Sequence, residues 1–121
     1  MEEWGKRHWV FTDGDLPPAG DADLQGHEAL IITNAGEEDA HLLVDVLFED
    51  RAPHKGIEVE VAAERVLCIR LDKPFGKTPY QIPFGQYSLV LRSDVPVVAT
   101  FGRLDVRQPN LAYYAVQGYG F

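Results

Sequence analysis

The chain has 121 residues, a common size for one domain, so residues 1–121 are expected to form a single domain around one core. Apolar residues make up 45% and charged residues 25%, which excludes a disordered chain, and no apolar stretch approaches the roughly 20 residues of a membrane-spanning helix. With 11 basic against 19 acidic residues the net charge is −8, which disfavours general binding of nucleic acid.

Several segments of the chain, each bounded by turn residues, alternate apolar and polar residues with a period of two. This pattern is typical of half-buried strands. In the clearest strand, His41–Glu49, one face is apolar throughout, while the other also carries Leu43 and Leu47. Large apolar side chains are unfavourable in contact with water, which indicates that a partner subunit covers part of this second face. In chain order the predicted strands are His8–Thr12, Ala29–Thr33, His41–Glu49, Ile57–Val61, Arg65–Leu71, Gln86–Arg92, Pro96–Leu104 and Leu111–Val116.

Turn residues separate these strands, and among them Asp94-Val95-Pro96 divides the sixth from the seventh. About eight short strands at this spacing predict an all-β, single-domain β-sandwich of jelly-roll character. Cys68 lies in the apolar run Val66-Leu67-Cys68-Ile69, so we expect it in the core, where a thiol is inert.

The beginning of the chain and its cysteine content favour the cytoplasm. Met1-Glu2-Glu3-Trp4-Gly5 is acidic and lacks the apolar segment of a secretory signal. Cys68 is the only cysteine, which excludes an intrachain disulfide and fits a reducing compartment. We therefore expect a cytoplasmic protein that does not insert into a membrane.

Several motifs, whose order and spacing agree with those of the sensory rhodopsin transducer family, make the chain resemble that family over roughly residues 8 to 108. The most specific are the turn Asn34-Ala35-Gly36-Glu37-Glu38-Asp39-Ala40-His41 and the stretch Ser93-Asp94-Val95-Pro96-Val97-Val98, which leads into Arg103-Leu104-Asp105-Val106-Arg107-Gln108. Upstream stand Trp9, Gly14 with Pro17-Pro18, and His27-Glu28.

The resemblance implies a jelly-roll β-sandwich assembled as a homotetramer. It also implies a family proposed to bind small molecules, sugars in particular, whose members act as signal transducers through protein partners and of which one is suggested to contact DNA. The link to a photoreceptor is not transferred, because nothing in this sequence specifies that partner.

Two histidine-containing motifs flank one predicted strand. A hairpin would bring His27 and Glu28 close to His41, with Asn34 at the turn between them. Two histidines and a carboxylate are suitable metal ligands, but the spacing lacks a His-x-His element, so we predict a polar cluster without a metal or other cofactor. The alternative is that these side chains only form local hydrogen bonds.

A second polar set lies near the end of the seventh predicted strand. Arg103, Asp105 and Arg107 share one face of an extended strand, and Gln108 follows. Guanidinium and carboxylate groups bind vicinal hydroxyls of a sugar, and an aromatic side chain such as Trp9 covers the apolar ring face. The alternative of equal weight is an Arg-Asp-Arg ladder that joins subunits.

No catalytic constellation accompanies these motifs, so the leading hypothesis is a non-enzymatic module. It binds a small polar ligand, a sugar for example, and signals through a protein partner. One alternative is an accessory enzyme of sugar metabolism that uses His27, Glu28 and His41. The other is a DNA-binding regulator that uses the arginine cluster.

Overall fold

A computed structural model describes residues 3–16, 26–105 and 112–121, and this part of the chain is built from strands. The strands are β1 (Lys6–Leu16), β2 (His27–Asn34), β3 (Ala40–Leu47), β4 (His54–Val61), β5 (Arg65–Arg70), β6 (Gly85–Asp105), β7 (Ala112–Gln117) and β8 (Tyr119–Gly120). Within the described ranges, no helix is long and apolar enough to span a membrane.

Strand β6 belongs to two antiparallel sheets. Its first half lies between β3 and β1 in sheet A, whose strand order is β4-β3-β6-β1-β8. Its second half lies between β2 and β7 in sheet B, whose order is β5-β2-β6-β7. Inward side chains of both sheets form one apolar core, which confirms the predicted all-β sandwich.

The length of β6 corrects the predicted strand boundaries. The sequence predicts two strands here, whereas the structure has one strand of 21 residues. Ser93 still pairs with Leu42 in sheet A, and Val98 already pairs with Thr33 in sheet B. Pro96 therefore lies where the strand passes from one sheet to the other, and its missing N–H costs no ladder hydrogen bond there.

The C-terminal strand β8 is a short element that the sequence analysis did not predict. Tyr119 pairs with Val10 at the edge of sheet A. Beyond it, Phe121 and His8 exchange two backbone hydrogen bonds of 2.9 and 3.1 Å, and their rings stack with centroids 5.0 Å apart. The end of the chain is thereby fastened to β1.

Cys68 is exposed, so the prediction that it lies in the core is wrong. Strand β5 is the outermost strand of sheet B, and only alternate side chains of a strand face the core. Ile69 takes the buried position, while Val66 and Cys68 point to the opposite side. The apolar run is therefore a strand with two apolar faces, of which one is open.

Candidate functional site

The strongest polar cluster surrounds Glu28, whose side chain is 0% exposed. Its Oε2 accepts a hydrogen bond of 2.6 Å from Nε of Arg103, and its Oε1 accepts one of 2.7 Å from the hydroxyl of Tyr87. The backbone N–H of Asp15 donates to both carboxylate oxygens at 3.2 Å. Charge-assisted bonds to each oxygen compensate for the burial of this carboxylate.

Strand register and one glycine put these groups together. Glu28 and Arg103 are direct partners across β2 and β6, and both side chains point inward at the end of the sandwich. Gly14 on β1 lies under the ring of Tyr87, where an added Cβ would lie only 2.5 Å from two ring atoms. A side chain at position 14 would therefore displace Tyr87 from Glu28.

The electrostatics of the cluster keep Arg103 charged and Tyr87 neutral. Burial, and then the adjacent charge of Glu28, raise the pKa of Tyr87 far above its usual range, so its hydroxyl keeps the proton that it donates. Burial by itself would lower the pKa of Arg103, but the hydrogen bond and charge of Glu28 outweigh it, and that pKa is raised.

Arg103 also reaches the rim of the sandwich, where its side chain is 14% exposed. Its Nη2 donates to the carbonyl oxygen of Asp13 at 3.2 Å, and the ring of Tyr114 lies 5.3 Å from the guanidinium carbon. Nearby, Nε2 of Gln86 donates to the Asp13 carboxylate at 3.0 Å. The rim thus combines a guanidinium, a carboxylate, an amide and an aromatic ring, groups that recognise small polar molecules.

Four of the predicted site residues lie at this end of the molecule: His27, Glu28, Arg103 and Asp105. His27 begins β2 and pairs with Leu104, beside the Glu28–Arg103 pair. Asp105 ends β6 two residues after Arg103. The predicted residues Arg107 and Gln108 lie outside the described part of the chain.

His41 lies elsewhere, so the predicted cluster of His27, Glu28 and His41 does not form. Strand β2 is 8 residues long, so its first and last residues lie about 23 Å apart at ~3.3 Å per residue. Its far end is bound to the turn that precedes His41. The hairpin separates these residues because β2 and β3 belong to different sheets. The two imidazoles therefore lie near opposite ends of β2.

At its own end of the sandwich, His41 forms an exposed cluster with two carboxylates. Its backbone N–H donates to Oδ1 of Asp94 at 2.8 Å, and its Nδ1 lies 3.1 Å from Oδ2 of the same residue. Its Nε2 is 3.8 Å from Oε2 of Glu60. The backbone hydrogen bond from His41, followed by its ring, lowers the pKa of Asp94.

Asn34 and Trp9, also predicted as ligand-binding residues, use their polar atoms inside the protein. Asn34 is 0% exposed; its Nδ2 donates to the carbonyls of Glu38 at 2.8 Å and Val61 at 3.0 Å. The indole N–H of Trp9, which is 4% exposed, donates to the backbone, with Val97 at 3.1 Å. Trp9 lies in the core and not on a surface where it would cover a sugar ring.

The sequence analysis missed Tyr87 and Tyr114 as members of the Glu28 cluster. Tyr87 is 59 residues from Glu28 in the chain, and its alternation pattern marks it only as an inward residue. Tyr114 belongs to an aromatic tail in which nothing singles it out. Among the residues placed by the structure, no group of three or more His, Cys, Asp or Glu side chains is arranged to hold a metal ion.

Comparisons with known proteins agree on one family. The Anabaena sensory rhodopsin transducer family matches residues 4–120. The crystal structure of Thermotoga maritima 1070 superposes with a TM-score of 0.85 at 37% identity, over 97% of this chain and 96% of that one. The Anabaena sensory rhodopsin transducer superposes with a TM-score of 0.74 at 31% identity, over 89% of this chain and 96% of that one. No protein with a curated description matches. The chain therefore belongs to the Anabaena sensory rhodopsin transducer family.

Proposed function

We propose that the protein is a signal-transducing module that binds a small polar ligand of the sugar class and acts through a protein partner. The observation that carries this proposal is that Arg103 takes part in both the rim and the buried cluster. Its guanidinium lies at the rim beneath Tyr114, and it is also the donor that holds the buried Glu28. A ligand that engages the rim therefore acts on a group whose other contacts lie in the core.

The contacts of Glu28 supply a route for the signal. Glu28 is on β2 of sheet B, whereas Tyr87 and Asp15 lie in the part of the fold that belongs to sheet A. Hydroxyls or a carboxylate of a ligand would compete for the donors of Arg103. A change in the Arg103–Glu28 bond then changes how firmly Glu28 holds the two sheets together, which gives ligand binding a structural consequence.

Aromatic residues on the C-terminal strands supply a surface for the signalling partner. Tyr113 is 61% exposed and lies on β7 next to Tyr114. Because successive side chains of a strand point to opposite faces, it lies on the other face of β7 from the ring that covers Arg103. Exposed tyrosine is typical of protein-binding surfaces because it offers a large apolar area with a polar tip. A partner bound to β7 would thus contact the strand that covers Arg103.

The rest of the proposal concerns assembly, location and chemistry. We propose a cytoplasmic homotetramer without enzymatic activity. A transducer family fits a module that performs no chemistry of its own, and the lone cysteine fits a reducing compartment. The accessory-enzyme hypothesis has lost its basis in a His27–His41 cluster, since the two residues lie far apart. The DNA-binding hypothesis has little support, because Arg103 is already paired with Glu28 and the net charge is −8.

A thermal-shift screen with sugars and sugar acids tests the proposal. A ligand that binds only the folded state stabilises it by about 2.7 kcal/mol at a hundredfold excess over its Kd. Tyr114→Leu should weaken the binding of a hit about tenfold, because the ring over Arg103 is lost while the Arg103–Glu28 pair remains. Tyr119→Leu, at the edge of sheet A, is the matched control, and it should bind the same ligand as tightly as the unsubstituted protein does.

Two results would contradict parts of the proposal. If no sugar or sugar acid shifts the melting temperature, the ligand class is wrong. If purified protein converts a bound sugar to product, the non-enzymatic part is wrong.

A further inference from the structure

A cavity of about 420 Å³ lies beside the first residues of β4, away from the Glu28 cluster. Its volume falls within the roughly 300–1,000 Å³ that is common for small-molecule sites. Residues 54–58 form one wall, and residues 78–80, from the segment between β5 and β6, form the other. Strand β4 is the outermost strand of sheet A, and β3 and β6 separate it from β1, which supplies Asp13 to the rim. The cavity is therefore a second place where a small molecule fits.

Backbone hydrogen bonds fix the second wall against the first. Phe75 and Tyr80 exchange two bonds of 3.0 and 3.1 Å, which close residues 75–80 into a tight loop. The N–H of Lys77 donates to the carbonyl oxygen of Glu58 at 3.0 Å, so the loop is bound to the outer edge of β4. The cavity is therefore pre-formed, and a ligand that enters it has little backbone to order.

An aromatic pair joins the two walls. The rings of His54 and Tyr80 stack with their centroids 3.7 Å apart and their planes 8° from parallel. Tyr80 is half-buried and packs against the core, whereas His54 is exposed. The core thus holds Tyr80 in place, and Tyr80 holds the imidazole of His54 at the side of the cavity. Aromatic faces of this kind pack against the apolar part of a small ligand.

A backbone irregularity brings two opposite charges to the same cavity. Lys55 and Glu58 are three residues apart, so a regular strand would direct them to opposite faces. Between them Gly56 has a φ of 77°, a conformation that favours glycine, and the pairing of β4 with β3 shifts register there. Both residues line the cavity, and in the described part of the chain neither of them forms an ion pair. Their charges are therefore available to a ligand.

We propose that this cavity binds a free α-amino acid as a zwitterion. Glu58 accepts hydrogen bonds from the ammonium group, Lys55 donates to the carboxylate, and the stacked His54 and Tyr80 rings pack against the side chain. The two charges select this class of ligand, because Glu58 opposes a purely anionic ligand and Lys55 opposes a purely cationic one. A zwitterion also has no net charge to be repelled by the −8 of the protein. The proposal goes beyond the sugar site at the rim and does not depend on it.

Calorimetric titration with a panel of free L-amino acids tests the proposal, followed by titration with two analogues of the tightest ligand. We expect at least one amino acid to bind. Its N-acetyl derivative lacks the ammonium group, and its carboxamide lacks the carboxylate. Each analogue should bind about tenfold more weakly than the free amino acid, because each loses one charge-assisted interaction with the protein.

Matched variants assign each ligand charge to a residue. Glu58→Gln should weaken the binding of the free amino acid about tenfold and leave the affinity for the N-acetyl derivative unchanged, because that analogue has no ammonium group. Lys55→Met should weaken the binding of the free amino acid to a similar extent and leave the affinity for the carboxamide unchanged. Glu60→Gln is the control: it removes a carboxylate from the same exposed side of β4, outside this cavity, and should bind as tightly as the unsubstituted protein does. Circular dichroism verifies that all three variants are folded.

The outcomes also separate this cavity from the rim around Arg103. Tyr114→Leu should leave amino-acid binding unchanged, and a loss of affinity in that variant would place the ligand at the rim and overturn the proposal. It is equally overturned if no amino acid binds at millimolar concentration, if the N-acetyl derivative binds as tightly as the free amino acid, or if Glu60→Gln loses as much affinity as Glu58→Gln. The thermal-shift screen decides separately whether a sugar binds at the rim.

Discussion

Two polar clusters lie near opposite ends of β2, and they differ mainly in burial. At one end, Glu28 is fully buried and bound by Arg103, Tyr87 and a backbone N–H. At the other end, the side chains of His41 and Asp94 are 59% and 52% exposed, and Nδ1 of His41 lies 3.1 Å from Oδ2 of Asp94 in contact with water.

The difference shows which polar contacts stabilise this fold. Exposed ion pairs contribute little, since water competes for both charges and the side chains lose freedom. A buried pair adds little compared with an apolar replacement of both partners, but removal of one partner leaves an uncompensated charge and is costly. Stability should therefore be sensitive to single substitutions at the Glu28 end and tolerant at the His41 end.

The largest effect is expected for Arg103→Ala. It leaves the Glu28 carboxylate buried without its cation, which should lower the free energy of unfolding by about 3–5 kcal/mol. Urea denaturation followed by tryptophan fluorescence measures the change. A loss below 1 kcal/mol would show that burial does not distinguish the two clusters.

The double variant Glu28→Gln with Arg103→Met is the control for this prediction. It removes both charges and keeps similar side-chain volumes, so it should be more stable than Arg103→Ala. A double variant as unstable as the single one would attribute the loss to packing and not to the unpaired charge.

An intermediate effect is expected for Asn34→Ala, close to the exposed cluster but itself buried. The substitution removes bonds to two carbonyls and to the N–H of Gly36, and should cost about 1–3 kcal/mol in unfolding free energy. Asp39→Ala is the matched control in the same turn, because the exposed Asp39 carboxylate accepts one bond of 2.9 Å from the N–H of Ala63. If Asp39→Ala costs as much, burial is not the deciding factor.

The smallest effect is expected for Asp94→Asn, and it depends on pH. The folded-state pKa of Asp94 lies below its ordinary 3.8, so its carboxylate stabilises the fold above that pH, and the contribution is lost as the pH falls through the folded-state value. At pH 6 the free energy of unfolding of the variant should be lower than that of the parent protein, by less than about 1 kcal/mol. In urea titrations the difference between the two stabilities should shrink as the pH falls below 3.8; a difference that grows on acidification would reverse the sign of the argument.

Much of the fold follows from the alternation of residue types. Period two identifies the inward faces of β3 and of both halves of β6, because a strand can bury only alternate side chains in one core. It does not identify which strands pair. For this reason the sequence predicts neither the contact of Glu28 with Arg103, 75 residues away, nor the role of Tyr87.

The candidate site was predicted only in part, because strand pairing also decides which of its residues meet. Glu28 and Arg103 were both singled out, but as members of separate clusters, and His41 was grouped with residues from which the structure separates it. The short distance in sequence between these motifs suggested that a hairpin of β2 and β3 would bring His27 and Glu28 close to His41. The two strands enter different sheets instead, through the long strand β6 that joins them.

By itself the sequence determined the all-β class, the inward faces and the resemblance to one family, because these properties depend on local patterns. Tertiary structure alone decided that Pro96 lies inside one continuous strand, that Trp9 is a core residue, that Cys68 is exposed and that Glu28 is paired. The physical reason is that burial and pairing depend on which strand lies opposite, and in this fold many of the paired strands, such as β2 and β6, are far apart in the chain.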